Sequence, residues 1–193
     1  MKLAVIVGST RQNRLTLKQA KWVQAEAEKM DDVEVKLLDL QDFPMPFLDE
    51  PISPRYNPDR KIDDQVKPWL EAMAEQDAFV FVTPEYNHSI PGVLKNAIDY
   101  LTSELNHKPA TVVSHGTVGG ARATVQLKEI LSESRAVVIP QQVAFLGLSE
   151  GVDDDGKLSD TLAANPYGPA AALKTALTEL KWYSDALAKA RNA

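Results

Sequence analysis

Cysteine is absent from the 193 residues. That excludes disulfides, thiolate nucleophiles and cysteine metal sites, so any redox chemistry has to come from a bound cofactor. Histidine is scarce: the three are His88, His107 and His115, and no pair has helical or metal-ligand spacing. Positive charge is in deficit, with a formal net charge of −6, which argues against nucleic acid or an anionic membrane surface as a partner. Long apolar runs are missing too. The first, Leu3 to Val7, is too short for a signal peptide or a membrane span, so a cytoplasmic location without membrane insertion is the default expectation. There is no Gly-x-Gly-x-x-Gly fingerprint and no Gly-Lys-[Ser/Thr] P-loop. No Gly-x-Ser-x-Gly elbow exists to present a hydrolase nucleophile. Asp153-Asp154-Asp155-Gly156 is not a calcium loop, because its first position would be Gly151 and its twelfth Leu162. It reads as a solvated turn.

What is present is an ordinary globular composition, 44% hydrophobic and 25% charged, of a length that suits one domain over residues 1–193. Lys2 to Val7 reads as a buried strand ended by Gly8-Ser9-Thr10. Val33 to Leu38, Ala78 to Val82, Ala110 to Ser114 and Ala136 to Ile139 read as four more strands, the last ended by Pro140. Helical stripes alternate with them: Ala20, Val23, Ala27 and Met30; Val66, Trp69, Leu70 and Met73; Leu94, Ala97, Ile98 and Leu101; Leu127, Ile130 and Leu131; Leu173, Leu177, Leu180 and Leu187. This alternation predicts an α/β fold, a five-stranded parallel sheet covered by helices on both faces, with the flavodoxin-like strand order 2-1-3-4-5. Residues 42–59 carry five of the twelve prolines. They form an extended loop that also holds Phe43, Phe47 and Tyr56, side chains that need partners.

In such a sheet, ligands bind beyond the carboxyl ends of the strands, and three loops there are unusual. The first, Gly8 to Thr16, has hydroxyls, Arg11, Asn13 and Arg14 and no carboxylate, and it opens a helix. Backbone N–H groups, the helix dipole and guanidinium favour an anion there, a phosphomonoester rather than a pyrophosphate. The plainer reading is a capped helix with two solvated arginines. The second loop, Thr83 to Pro91, has Pro84 at its entry and Pro91 near the next helix. Tyr86 can lie against a flat ring, the N–H groups of Tyr86 and Asn87 can reach heteroatoms on a ring edge, and Glu85 can accept from a ring N–H or a hydroxyl. A tight turn in which Tyr86 packs and Asn87 caps explains the same residues. The third loop, Ser114-His115-Gly116-Thr117-Val118-Gly119-Gly120-Ala121, is glycine-rich. Either the backbone approaches a planar ligand, or it packs densely at a helix start.

Together the loops resemble the NADPH-dependent FMN reductase family, which includes quinone, azo-dye and chromate reductases. The match lies at Gly8, Ser9 and Arg11, from Thr83 through Asp99, and at Ser114, Gly116, Gly119 and Gly120. The resemblance implies a flavodoxin-like three-layer sandwich, bound FMN, NADPH as the nicotinamide cofactor, and a homodimer or homotetramer. It carries the phosphate onto Ser9, Arg11, Arg14 and Thr16, and the isoalloxazine onto Pro84, Glu85, Tyr86 and Asn87 and onto the Ser114 to Gly119 loop with His115 and Gly116. There are departures. Many relatives have Gly where this chain has Asn13 and Ser where it has Arg14; His115 occupies a variable position; and residues 151–166 form a longer stretch than the family pattern, able to reshape the substrate edge.

The expected function is hydride transfer from NADPH through FMN to a small acceptor such as a quinone or flavin, with no protein residue required as acid or base. The rival is a flavodoxin-type electron carrier that binds FMN without oxidising nicotinamide; a flavin-free interaction protein is a third reading. Phe47, Tyr56 and Trp69 are candidate aromatic anchors of a subunit interface, with burial inside one subunit equally open.

Overall fold

The computed structural model describes residues 1–147 and 151–191. Its elements run β1 (Lys2–Val7), α1 (Leu15–Ala27), β2 (Glu34–Asp39), α2 (Lys67–Ala74), β3 (Ala78–Pro84), α3 (Gly92–Asp99), β4 (Pro109–Gly116), α4 (Ala121–Glu133), β5 (Val137–Val138), β6 (Val143–Leu146), α5 (Asp160–Ala163) and α6 (Pro169–Arg191). All strand pairs are parallel and the sheet order is β2-β1-β3-β4-β5, with β6 also on β4. The expected flavodoxin-like order is therefore the observed one.

Side-chain alternation along β1 explains the three layers. Ala4 and Ile6 face a core made with Trp69 of α2, Leu94 of α3 and Leu127 of α4. Leu3, Val5 and Val7 face a second core made with Trp22 of α1 and Leu173 and Leu177 of α6. β3 and β4 are buried along their whole length, which is why they read as continuous apolar runs. β2 lies at the edge and alternates.

The fifth position of the sheet differs from expectation. It is two short pieces rather than one strand. Val137 and Val138 pair with Pro109 and Ala110, and Val143 to Leu146 pair with Val113 to Gly116. Pro140 has no N–H to give to a ladder, so the chain leaves β4 and returns after Gln142. The Thr111 hydroxyl donates to the Gln141 carbonyl at 2.6 Å and covers the gap.

The loop expected over residues 42–59 is a strap held along α3, interrupted by one short 3-10 turn at Pro54–Tyr56. The Leu48 N–H donates to Asn96 Oδ1 at 3.0 Å, and Asn96 Nδ2 donates to the Pro46 carbonyl at 2.8 Å. Arg60, almost fully buried, pairs with Glu50 at 2.9 Å and donates to the Tyr100 carbonyl at 3.0 Å. Trp69 is not an interface anchor. It has no exposed surface, packs edge-on against Phe43 with centroids 5.4 Å apart, and donates its indole N–H to the Ala97 carbonyl at 2.8 Å. Phe47 and Tyr56 do point outward, 82% and 77% exposed.

Residues 151–168 pack beside α1. Val152 and Leu158 pair across a turn and are buried in the α1–α6 core. Asp153 Oδ1 accepts the N–H groups of Asp155 and Lys157, so the acidic run is a turn, as its sequence suggests. Asp154 meets Lys18 at 2.7 Å.

Candidate functional site

The carboxyl ends of β1, β3 and β4 open on one cleft of about 350 Å3. Gly8 sets the distance between the first two loops: its N–H donates to the Val82 carbonyl at 2.8 Å, and a Cβ at this position would lie 2.8 Å from that oxygen and 2.9 Å from Leu94 Cδ2. A side chain there would push β1 and β3 apart. Gly120 performs the same service for the third loop. Its φ is +73°, and a Cβ would lie 2.8 Å from Ser114 Cβ.

Of the residues expected in the site, Arg11, Asn13, Arg14, Thr16, Pro84, Glu85, Tyr86, His115 and Gly116 line this cleft. Gln12 and Leu15 line it as well and were not singled out in the sequence; their only signal was their position inside the first loop. Ser9, Asn87, Ser114 and Gly119 lie outside the lining. Ser9 is fully buried and its hydroxyl shares a 2.8 Å hydrogen bond with the Tyr86 hydroxyl. Ser114 donates to the Gly119 carbonyl at 2.7 Å and accepts from Thr124 at 2.8 Å, which fixes the third loop from behind. Asn87 sits in a tight turn at φ +48°, and the Tyr86 N–H is already donated to the Ser89 carbonyl at 2.9 Å. The second loop is therefore a tight turn and the Tyr86 N–H is not free for a ligand, while the Tyr86 side chain lines the cleft.

The two arginines of the first loop differ sharply. Arg14 is nearly buried: its guanidinium pairs with Asp39, and it donates to Gln41 Oε1 at 2.6 Å and to the Arg11 carbonyl at 3.4 Å. Its charge is engaged within the protein. Arg11 is exposed and has no carboxylate partner among the described residues; its guanidinium lies 5.3 Å from the centre of the Tyr86 ring. Helix α1 starts beside it with no side-chain cap and no acid in its first turn. Its first N–H groups and the positive end of its dipole therefore face the cleft without internal compensation.

Glu85 is also engaged. Its carboxylate pairs with the Arg122 guanidinium and accepts the Arg122 N–H at 3.0 Å, capping α4. Burial alone would raise its pKa, but the bonds from Arg122 and from the Ala123 N–H outweigh it and hold the carboxyl below its usual range. Glu85 thus stays charged, balanced by Arg122, which lies outside the three loops. His115 is buried, and burial pulls its pKa from 6.5 down to about 4. Its Nε2 lies 3.0 Å from Thr16 Oγ1.

The cleft thus has an electropositive end, formed by the α1 start and Arg11, and a flatter end formed by Pro84, Tyr86 and Gly116. A profile described as NADPH-dependent FMN reductase matches residues 1–148. The chain belongs to the NADPH-dependent FMN reductase family. An NAD(P)H-dependent FMN reductase of Nectria sp is 35% identical over 163 residues, 82% of this chain and 81% of that one. A quinone reductase of Pseudomonas putida is 32% identical over 169 residues, 82% of this chain and 84% of that one. Among solved structures, the flavoenzyme FerB of Paracoccus denitrificans, an NAD(P)H:acceptor oxidoreductase, superposes with a TM-score of 0.72 at 27% identity, covering 97% of both chains. The FMN reductase family membership covers all three loops of the cleft, since the last of them ends before residue 148.

Proposed function

We propose that this chain is an FMN-dependent NAD(P)H oxidoreductase, folded as one domain over residues 1–193, that reduces a quinone, a flavin or a similar small acceptor. The observation that carries the reading is the uncompensated positive end of the cleft. A helix start without cap or acid, beside an Arg11 that has no carboxylate partner among the described residues, suits a phosphomonoester. At about 350 Å3, the cleft falls within the size range of small-molecule sites. FMN fits this donor set: phosphate toward Arg11, Asn13 and the first N–H groups of α1, and ring toward Pro84, Tyr86, His115 and Gly116; Thr16, also expected at the phosphate, is fully buried and engaged with His115. Ser9, Asn87, Ser114 and Gly119 support the loops from outside the cleft, while Arg14 and Glu85 are held by Asp39 and Arg122.

Bound FMN would accept a hydride from NADPH or NADH and pass two electrons on to the acceptor. The protein's part is to bind, orient and shield; no side chain is assigned as acid or base. The named activities of the relatives, FMN and quinone reduction, support the same class of acceptor. Among the described residues no helix is long and apolar enough to cross a membrane, and we read the protein as cytoplasmic. Exposed Phe47, Ile52 and Tyr56 support a homodimer or homotetramer; sedimentation that finds monomer at every concentration would remove that part of the reading.

The deciding experiment is the absorption spectrum of FMN-loaded protein, without oxygen, before and after NADPH. Loss of the oxidised-flavin band is the expected result. Flavin that stays oxidised with both NADPH and NADH would overturn the reading and leave an electron carrier. Arg11→Ala tests the site itself. Removing a charge-assisted hydrogen bond should weaken FMN by about 1.5–3 kcal/mol, while thermal unfolding of the flavin-free protein stays unchanged because Arg11 is exposed.

A further inference from the structure

His115 stands where the two ends of the cleft meet. Its backbone carbonyl accepts the Glu85 N–H at 2.9 Å, joining the second and third loops, and its Nε2 reaches Thr16 Oγ1 in the first turn of α1 at 3.0 Å. Thr16 has no accessible surface, and the imidazole is the one partner its hydroxyl has among the described residues. A buried hydroxyl that fails to donate its proton is costly. Thr16 therefore donates to Nε2, and that choice has a consequence for the ring. A neutral imidazole carries one proton. With Nε2 accepting, the proton sits on Nδ1. Nδ1 has no partner among the described residues and is not one of the sealed, unpaired polar atoms of the molecule. Burial without any carboxylate partner keeps the ring uncharged near neutrality.

Resting on the FMN reading above, we propose that Thr16 fixes His115 in the Nδ1–H tautomer, so that His115 presents a neutral hydrogen-bond donor to bound FMN at the junction between phosphate and ring. The partner is an oxygen or nitrogen that FMN shares with riboflavin. The phosphate belongs to the α1 start and Arg11. Other expected groups are already engaged: the Ser9 and Tyr86 hydroxyls with each other, Arg14 with Asp39, and the Tyr86 N–H with the Ser89 carbonyl. His115 is thus one of the few side-chain donors left to this cleft, and Thr16 acts through it as a positioning residue.

Two measurements on the whole protein test the proposal. In the flavin-free protein labelled with 15N, the His115 ring should show a protonated Nδ1 and a bare Nε2. Thr16→Val should shift it toward the opposite tautomer. An Nε2–H tautomer in the unmodified protein would overturn the proposal. In titrations with FMN and with riboflavin, His115→Phe should weaken both ligands about tenfold and by the same factor. His115→Gln, which keeps a donor, should recover most of that loss. An unchanged dissociation constant in His115→Phe, with folding confirmed by thermal unfolding, would refute the donor; a loss confined to FMN would place it on the phosphate and refute the shared-atom assignment. Failure of the unmodified protein to bind FMN at all would instead count against the functional reading, and is distinguishable from either result.

Discussion

Replacing Arg14 by Ala should destabilise the protein by about 3–5 kcal/mol, because it strands a charge in a poorly hydrated place. The Arg14 and Asp39 side chains are only 8% and 13% exposed. Removing the guanidinium leaves the Asp39 carboxylate at the end of β2 without its counter-ion, and leaves Gln41 Oε1 and the Arg11 carbonyl without a donor. For a chain of this length the loss corresponds to a fall in Tm of roughly 6–20 °C. Arg14→Lys should recover part of it. A lysine keeps the charge but cannot reach three acceptors with one planar fork. The companion variant Asp39→Ala, combined with Arg14→Ala, should cost much less than the sum of the two single changes, since neither charge is then left alone. A loss below about 1 kcal/mol in Arg14→Ala would show the pair to be as weak as an exposed one. The pair of arginines then separates two kinds of effect: Arg14 acts on stability, Arg11 on flavin affinity. An Arg14→Ala protein of normal stability with lost FMN binding would reverse these roles.

The basis of that contrast is hard to read from the loop's own sequence, and the reason is specific. Both arginines sit in one loop, and both read as solvated or anion-binding. Their difference is made by register. Parallel pairing sets Val7 opposite Asp39, so the acid at the end of β2 arrives beside the first loop. The predicted strand order already put those two strand ends side by side, and Asp39 at the last position of β2 was the available signal. Glu85 and Arg122 follow the same logic across β3, β4 and α4. By contrast, the order of the sheet and its two covered faces were legible, because β1, β3 and β4 are apolar on both faces and their helices carry clear stripes. The resumption at Val143 after the Pro140 break was not, because pairing with β4 is non-local and four residues show little periodicity. The place of Trp69 stays open in the sequence for another reason. A helical stripe says that a residue is apolar on one side; it does not say whether that side meets its own sheet or another subunit. Trp69 meets its own.

Acidification should weaken the flavin-free protein through His115, over a window set by its two pKa values. In the folded chain, burial lowers the imidazole from 6.5 to about 4. In the unfolded chain it titrates near its ordinary value. Above that value both states are neutral, and the stability associated with His115 is fully present. As pH falls below it, the unfolded chain takes up a proton that the folded one resists, so the unfolded state gains. The loss grows until pH passes through about 4, where the folded ring also charges, and its full size is about 3 kcal/mol. No nearby carboxylate relieves it. The acid in the cleft, Glu85, is committed to Arg122, and the other charged side chains lining it, Arg11 and Arg14, are positive. Chemical denaturation at a series of pH values from 7 to 4 should therefore show the unmodified protein losing more stability than His115→Gln, the gap between them widening steadily below pH 6.5. Equal losses in the two proteins would mean that the buried imidazole gains its proton without cost, and would point to a water or an acid beside Nδ1 that takes the charge.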